Sequence, residues 1–153
     1  MTVLNRRGLL GAGSAMLAIA ALGNKTALAA GTPGLTTHVL DTANGKPGEG
    51  IKIEFSVLEG NAYKLLKTVM TNADGRNAEP LLTPENMKAG KYQLVFYIGE
   101  YFKKQGNAVP NPPFLETAVI QFGMADATAH YHVPILATPW SYTTYRGSYR
   151  SLY

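Results

Sequence analysis

The chain has 153 residues, with 14 Lys+Arg against 10 Asp+Glu, three His and no Cys, for a formal charge of +4. Arg6, Arg7 and Lys25 lie in the first 29 residues, which hold no Asp or Glu, so the remainder is nearly neutral at 11 basic against 10 acidic. That balance excludes an electrostatic footprint for nucleic acid or an anionic membrane, while a 46% apolar share excludes disorder and suits one domain with a real core.

Residues 1–29 read as an export signal. The pair Arg6-Arg7 is followed by Gly8-Leu9-Leu10, and the apolar stretch Leu9–Leu22 is too short and too broken by Gly11, Gly13 and Ser14 to span a bilayer stably. Ala27-Leu28-Ala29 supplies the small residues of a cleavage site, so cleavage is expected after Ala29, leaving a mature domain over 30–153. The run Asn5-Arg6-Arg7-Gly8-Leu9-Leu10 resembles a twin-arginine signal, which implies passage of a folded protein through the twin-arginine translocase to the periplasm. An ordinary Sec signal or a membrane anchor are the alternatives; a stable anchor is not expected. An exported chain without Cys has no disulfide framework, so its stability must come from core or assembly.

Beyond Gly34 the pattern is one of short strands and turns, without an internal repeat. Leu35–Asp41 alternates, with Leu35, Thr37 and Val39 on one face and Thr36, His38 and Leu40 on the other; Asn44-Gly45 and Pro47 close it with a turn. Ile51, Ile53, Phe55 and Val57 face one way in the next strand, against Lys52, Glu54 and Ser56. Leu65–Thr71 follows, then the turn Asn72-Ala73-Asp74-Gly75 and a short strand expected near Arg76. Pro80–Gly90 is loop with one turn at Thr83-Pro84-Glu85. Lys91–Ile98 is a strand, Glu100–Gln105 a short helix stopped by Gly106-Asn107, and Leu115–Phe122 a strand. His130–Thr138 and Ser141–Arg146 complete the set. The expectation is all-β: two packed antiparallel sheets, about eight strands and one short helix.

The spacing His130-Tyr131-His132 puts two imidazoles on one strand face, about 6–7 Å apart. Tyr131, Val133, Ile135 and Ala137 look like core, so His130 and His132, with Pro134 and Leu136, must face solvent or a subunit interface. His38 is also on the non-core face of its strand. Three readings stand at this point: incidental surface imidazoles, an open zinc site, or metal-free acid–base chemistry near neutral pH. No GxSxG elbow, P-loop, GxGxxG or HExxH occurs. Pro134 inside a strand argues for an edge position or an irregular ladder.

The stretch from His130 to Ser148, HYHVPILATPWSYTTYRGS, resembles the signature of the transthyretin-like 5-hydroxyisourate hydrolases. Leu35–Asp41 with Gly45-Lys46-Pro47, Thr71–Arg76, and Gly99–Lys104 agree, and the likeness runs from about Leu35 to Ser148. Tyr145-Arg146-Gly147-Ser148 is its specific part, because it separates the hydrolases from the hormone-carrying transthyretins. The resemblance implies a transthyretin-like (prealbumin-like) sandwich and a homotetramer, a dimer of dimers with a central channel. It also implies cofactor-free hydrolysis of 5-hydroxyisourate to 2-oxo-4-hydroxy-4-carboxy-5-ureidoimidazoline in urate (purine) degradation, with no metal. His38, Arg76, His132 and Ser148 are then the expected catalytic residues. Substrate binding falls to His38, Arg76, Tyr145, Arg146 and His130. The residues 149–153 depart from the family pattern, in which the chain commonly stops at the Ser of this motif. A non-catalytic small-ligand or zinc-binding periplasmic protein on the same fold is the alternative.

Overall fold

The computed structural model describes residues 31–147. The expected leader with its cleavage site, Ser148 and the 149–153 extension lie outside the described residues. The strands are β1 (Gly34–Asp41), β2 (Lys46–Pro47), β3 (Lys52–Glu59), β4 (Ala62–Met70), β5 (Gly90–Phe96), β6 (Ala118–Met124), β7 (His130–Ala137) and β8 (Tyr142–Thr144). Among the described residues there is one α-helix, α1 (Ile98–Lys104), which follows β5, and one 3-10 turn, Pro84–Asn86. Among the described residues no helix is long and apolar enough to cross a membrane.

Two four-stranded sheets, in the orders β2-β1-β7-β8 and β4-β3-β5-β6, pack face to face. Alternation decides which side chains meet between them. Leu35 and Val39 from β1 and Tyr131, Val133 and Ile135 from β7 enter one core with Ile53 and Phe55 from β3, Leu94 and Phe96 from β5, and Ile120 and Met124 from β6. Phe55 and Tyr92 stack there at 5.5 Å between centroids.

Helix α1 caps one end of this core. It buries Ile98, Gly99, Tyr101 and Phe102, and carries Glu100 in its first turn and Lys103 and Lys104 in its last, as the helix dipole favours. The buried Tyr101 hydroxyl donates to Asp41 Oδ2 (2.8 Å) at the end of β1. Asn44 gives that carboxylate two further bonds, from its backbone N–H (2.9 Å) and its side-chain amide (2.7 Å). Asp41 is only 2% exposed, and these donors replace the water it has lost.

The strand directions and the eighth strand differ from the sequence expectation, whereas the expectation at Pro134 is met in one of its two forms. The pairing of β1 with β7 is parallel, so the first sheet is mixed rather than antiparallel, although the two-sheet sandwich stands. Side-chain alternation assigns faces but carries no information on strand direction. The strand expected near Arg76 is a lone bridge to His38, and the eighth strand is instead the two-residue Lys46–Pro47 on the edge of β1, where proline is tolerated. Pro134 lies in an interior strand, and the irregular ladder it implied is present. β8 pairs with Ile135–Ala137, and Gly147 resumes the same register opposite His132. The break between them falls at Pro134, which has no N–H to donate.

Candidate active site

The parallel register of β1 and β7 builds the site. It sets Gly34 beside His130, Thr36 beside His132 and His38 beside Pro134. With Leu35, Thr37 and Val39 turned into the core, Thr36 and His38 must share the outer face with the two β7 histidines. His38 and His130 are partly buried there, whereas His132 is only 8% exposed. Its cover comes from the returning chain: His132 N–H donates to Gly147 O (3.3 Å) and Gly147 N–H to His132 O (2.8 Å). A Cβ at position 147 would lie 2.8 Å from His132 Cδ2, so only glycine lets backbone lie flat against the imidazole. The sequence expectation is that the imidazoles face solvent or a subunit interface; on this outer face His132 is already sheltered within a single chain.

A tight turn presents Arg76 to the same face. Asn72 Oδ1 accepts from the backbone N–H groups of Asp74 (3.0 Å) and Arg76 (3.1 Å). The Asn72 N–H donates to Arg76 O and the Gly75 N–H to Asn72 O, both at 2.8 Å. Gly75 adopts φ 70°, and its carbonyl accepts the Val39 N–H at 2.8 Å. A side chain at 75 would strike the Val39 carbonyl oxygen, so the left-handed glycine is what allows this turn to dock on β1. Docked in this way, Arg76 bridges His38. Thr71, donating to Gly48 O (2.6 Å) and accepting from Ile51 N–H (2.8 Å), ties the base of the turn to the start of β3.

The charges follow from burial and neighbours. Desolvation, then the Arg76 guanidinium, and then His38 and His130, push the His132 imidazole down to about 4. His38 is also lowered, first by burial and then by Arg76, against the opposing pull of the Asp74 backbone and carboxylate. Both rings are thus neutral at neutral pH, with a fixed guanidinium among them. A neutral imidazole can take a proton from water, and a guanidinium can hold an oxyanion.

Among the sequence-predicted residues, His38, Arg76, His130 and His132 come together. Tyr145 lies in register with Pro134 and so on the histidine side of the sheet, where its ring is 58% exposed. Arg146 is not brought to the cluster. Its register places it beside the core-facing Val133, and its guanidinium sits 4.8 Å from the centroid of the Tyr131 ring. The Tyr131 hydroxyl there accepts the backbone N–H groups of Ala125 and Asp126, both at 3.1 Å. Ser148 lies outside the described residues. Thr36, whose hydroxyl is 2.9 Å from His132 Nδ1 and 3.3 Å from His130 Nε2, was not among the sequence candidates. Gly147 and Asn72 were also missed as site-forming residues. The signal for Thr36 was its i−2 relation to His38, which puts both on one face.

Among the described residues no group of three or more His, Cys, Asp or Glu side chains is disposed to hold a metal ion. A depression of about 350 Å³ lined by Lys46, Pro47, Glu49, Ala73, Tyr101 and Gln105 contains none of the histidines. The site is instead an open sheet face with sheltered bases.

Neutral imidazoles grouped with a guanidinium on the outer face of a transthyretin-like sandwich define a candidate acid–base hydrolase. The chain belongs to the HIUase/transthyretin family, whose model matches residues 35–147. It is 53% identical over 114 residues to 5-hydroxyisourate hydrolase 2 of Rhizobium meliloti, covering 74% of this chain and 95% of that one. The crystal structure of an (S)-allantoin synthase is similar at TM-score 0.71 and 40% identity, over 78% of this chain and 45% of that longer one. The Klebsiella pneumoniae 5-hydroxyisourate hydrolase matches at TM-score 0.60 and 34% identity, over 74% of this chain and 98% of its own.

Proposed function

We propose that this protein is a hydrolase that opens 5-hydroxyisourate in urate catabolism, yielding 2-oxo-4-hydroxy-4-carboxy-5-ureidoimidazoline. The observation that carries the reading is the grouping of two neutral imidazoles, His38 and His132, around Arg76 on one sheet face. His132 accepts a proton as water attacks a ring carbonyl; Arg76 stabilises the oxyanion that forms. Collapse of the adduct breaks the ring C–N bond, and an imidazolium returns the proton to the leaving nitrogen. In this reading the exposed Tyr145 contacts the ring edge, and Ser148 belongs to the same proposed site.

The proposal extends to assembly and destination. A dimer of dimers would face the histidine-bearing sheets toward a central channel. The exposed pair Phe114 and Trp140, with ring centroids 6.3 Å apart, and exposed Val119 on edge strand β6 supply apolar surface for such contacts. The leader with Arg6-Arg7 directs the folded chain to the periplasm. The alternative of a non-catalytic small-ligand or zinc-binding protein on this fold makes the opposite prediction in one assay. Generating 5-hydroxyisourate in situ from urate with a urate oxidase and following its ultraviolet decay should show acceleration on adding the protein. Decay at the spontaneous rate would overturn the hydrolase.

A further inference from the structure

We propose that the Thr36 hydroxyl is the positioning group that fixes which nitrogen of His132 acts as the base, through a one-directional hydrogen-bond chain ending at the Thr32 carbonyl. The inference rests on the hydrolase reading for its kinetic consequence but not for the chain itself. Its direction follows from donor and acceptor capacity. His130 Nδ1 lies 3.1 Å from Thr32 O. A carbonyl oxygen only accepts, so that nitrogen carries the proton. In the neutral ring, His130 Nε2 is then an acceptor, and the atom facing it is Thr36 Oγ1 at 3.3 Å. The single hydroxyl proton of Thr36 is thereby committed to His130. Toward His132 Nδ1, 2.9 Å away, Thr36 Oγ1 has only lone pairs to offer. His132 Nδ1 must therefore be the N–H, and Nε2 carries the lone pair.

The arrangement has a chemical consequence. When the attacking water is deprotonated, its O–H bond breaks and a new N–H bond forms at Nε2; the imidazolium keeps its Nδ1–H bond to Thr36. No rotation of the buried ring is needed between resting and protonated states. The register makes this possible, because Thr36 lies directly beside His132 in the parallel pair while His130 is two residues back along the same strand face. A hydroxyl at 36 is thus within reach of both rings.

Two measurements test the chain. In mildly alkaline buffer, where imidazoles are neutral, nitrogen NMR of the ring-labelled protein should show His132 with a protonated, pyrrole-type Nδ1 and a pyridine-type Nε2. A pyridine-type Nδ1 would overturn the proposal whatever the protein's activity. In kinetics, Thr36→Val, which keeps the shape and removes the hydroxyl, should lower kcat by about 10- to 100-fold with KM changed by less than about twofold. Thr36→Ser, which restores the hydroxyl, should recover kcat to within about threefold of wild type. Wild-type kcat in Thr36→Val would overturn it. If the unaltered protein does not hydrolyse 5-hydroxyisourate, the functional reading falls and the NMR result alone decides the chain.

Discussion

The two sheets obey one rule on their inner faces and diverge on their outer ones. Inside, Leu35 and Ile135 from the first sheet and Phe55 and Leu94 from the second are equally buried. Outside, the second sheet carries pairs that any solvated surface might carry: Lys52 with Glu54 at 2.8 Å, and Gln121 with Gln93 at 3.0 Å. The outer face of the first sheet holds Thr36, His38, His130 and His132, roofed in part by the Arg76 turn and by Gly147. Core packing and the grouping of titratable side chains thus occupy different faces of the sandwich. One face of each sheet builds the core, and one remaining face gathers the histidines beside the Arg76 turn.

The sharpest way to break that contrast is to remove a group from the chemical face. His132→Ala should lower kcat/KM by about 10³-fold, while the thermal midpoint shifts little because the ring lies outside the apolar core. His130→Ala should cost less than about tenfold. The reverse ranking in steady-state kinetics would reassign the base. Arg76→Lys keeps the charge but loses the planar fork, and a loss of about 10²-fold is expected in the same assay.

A third variant probes the roof. Gly147→Ala places a methyl 2.8 Å from His132 Cδ2, so the ring must shift. A loss of about tenfold in kcat is expected, with circular dichroism showing an intact sandwich. Wild-type activity would mean that the close approach of Gly147 does not position the ring.

The pH dependence separates the faces in another way. His132 is held down to about 4 by burial and by Arg76, His38 and His130. The base form of His132 therefore persists as pH falls below the ordinary imidazole range, and His38, also lowered by burial and Arg76, shifts the same way, so activity should decline only below the pH at which an ordinary imidazole protonates. Stability moves earlier. Below about pH 6.5 the unfolded chain binds a proton that the folded ring refuses, so this group costs stability as pH falls from there toward about 4, by an order of 1–3 kcal/mol. His132→Gln should flatten that part of the denaturation profile. On the second sheet the expected effects are smallest: Lys52→Ala, which removes a solvent-screened surface pair, should leave the thermal midpoint essentially unchanged and alter kcat by less than about twofold.

Much of this organisation was legible in the residues. Alternation placed Leu35, Thr37 and Val39 inward and His38 outward, and the i, i+2 spacing put His130 and His132 on one face. What alternation omits is the partner and direction of each strand. The parallel pairing of β1 with β7 was therefore not readable, although it is what sets Thr36 beside His132. The two-residue β2 is too short to show a period. Arg146 is the opposite case. Membership in a motif suggested a place in the site, whereas its parity opposite Val133 sends the guanidinium to Tyr131. The sheltering of His132 depended on a glycine, which carries no pattern of its own until its cross-strand partner is known.

The most direct test of a catalytic first sheet is a paired assay of the unaltered protein and His132→Ala on 5-hydroxyisourate generated in situ. The unaltered protein should accelerate the ultraviolet decay of the intermediate, and the variant, folded, should leave it near the spontaneous rate. Equal acceleration by both proteins would contradict the assignment of the chemistry to this face.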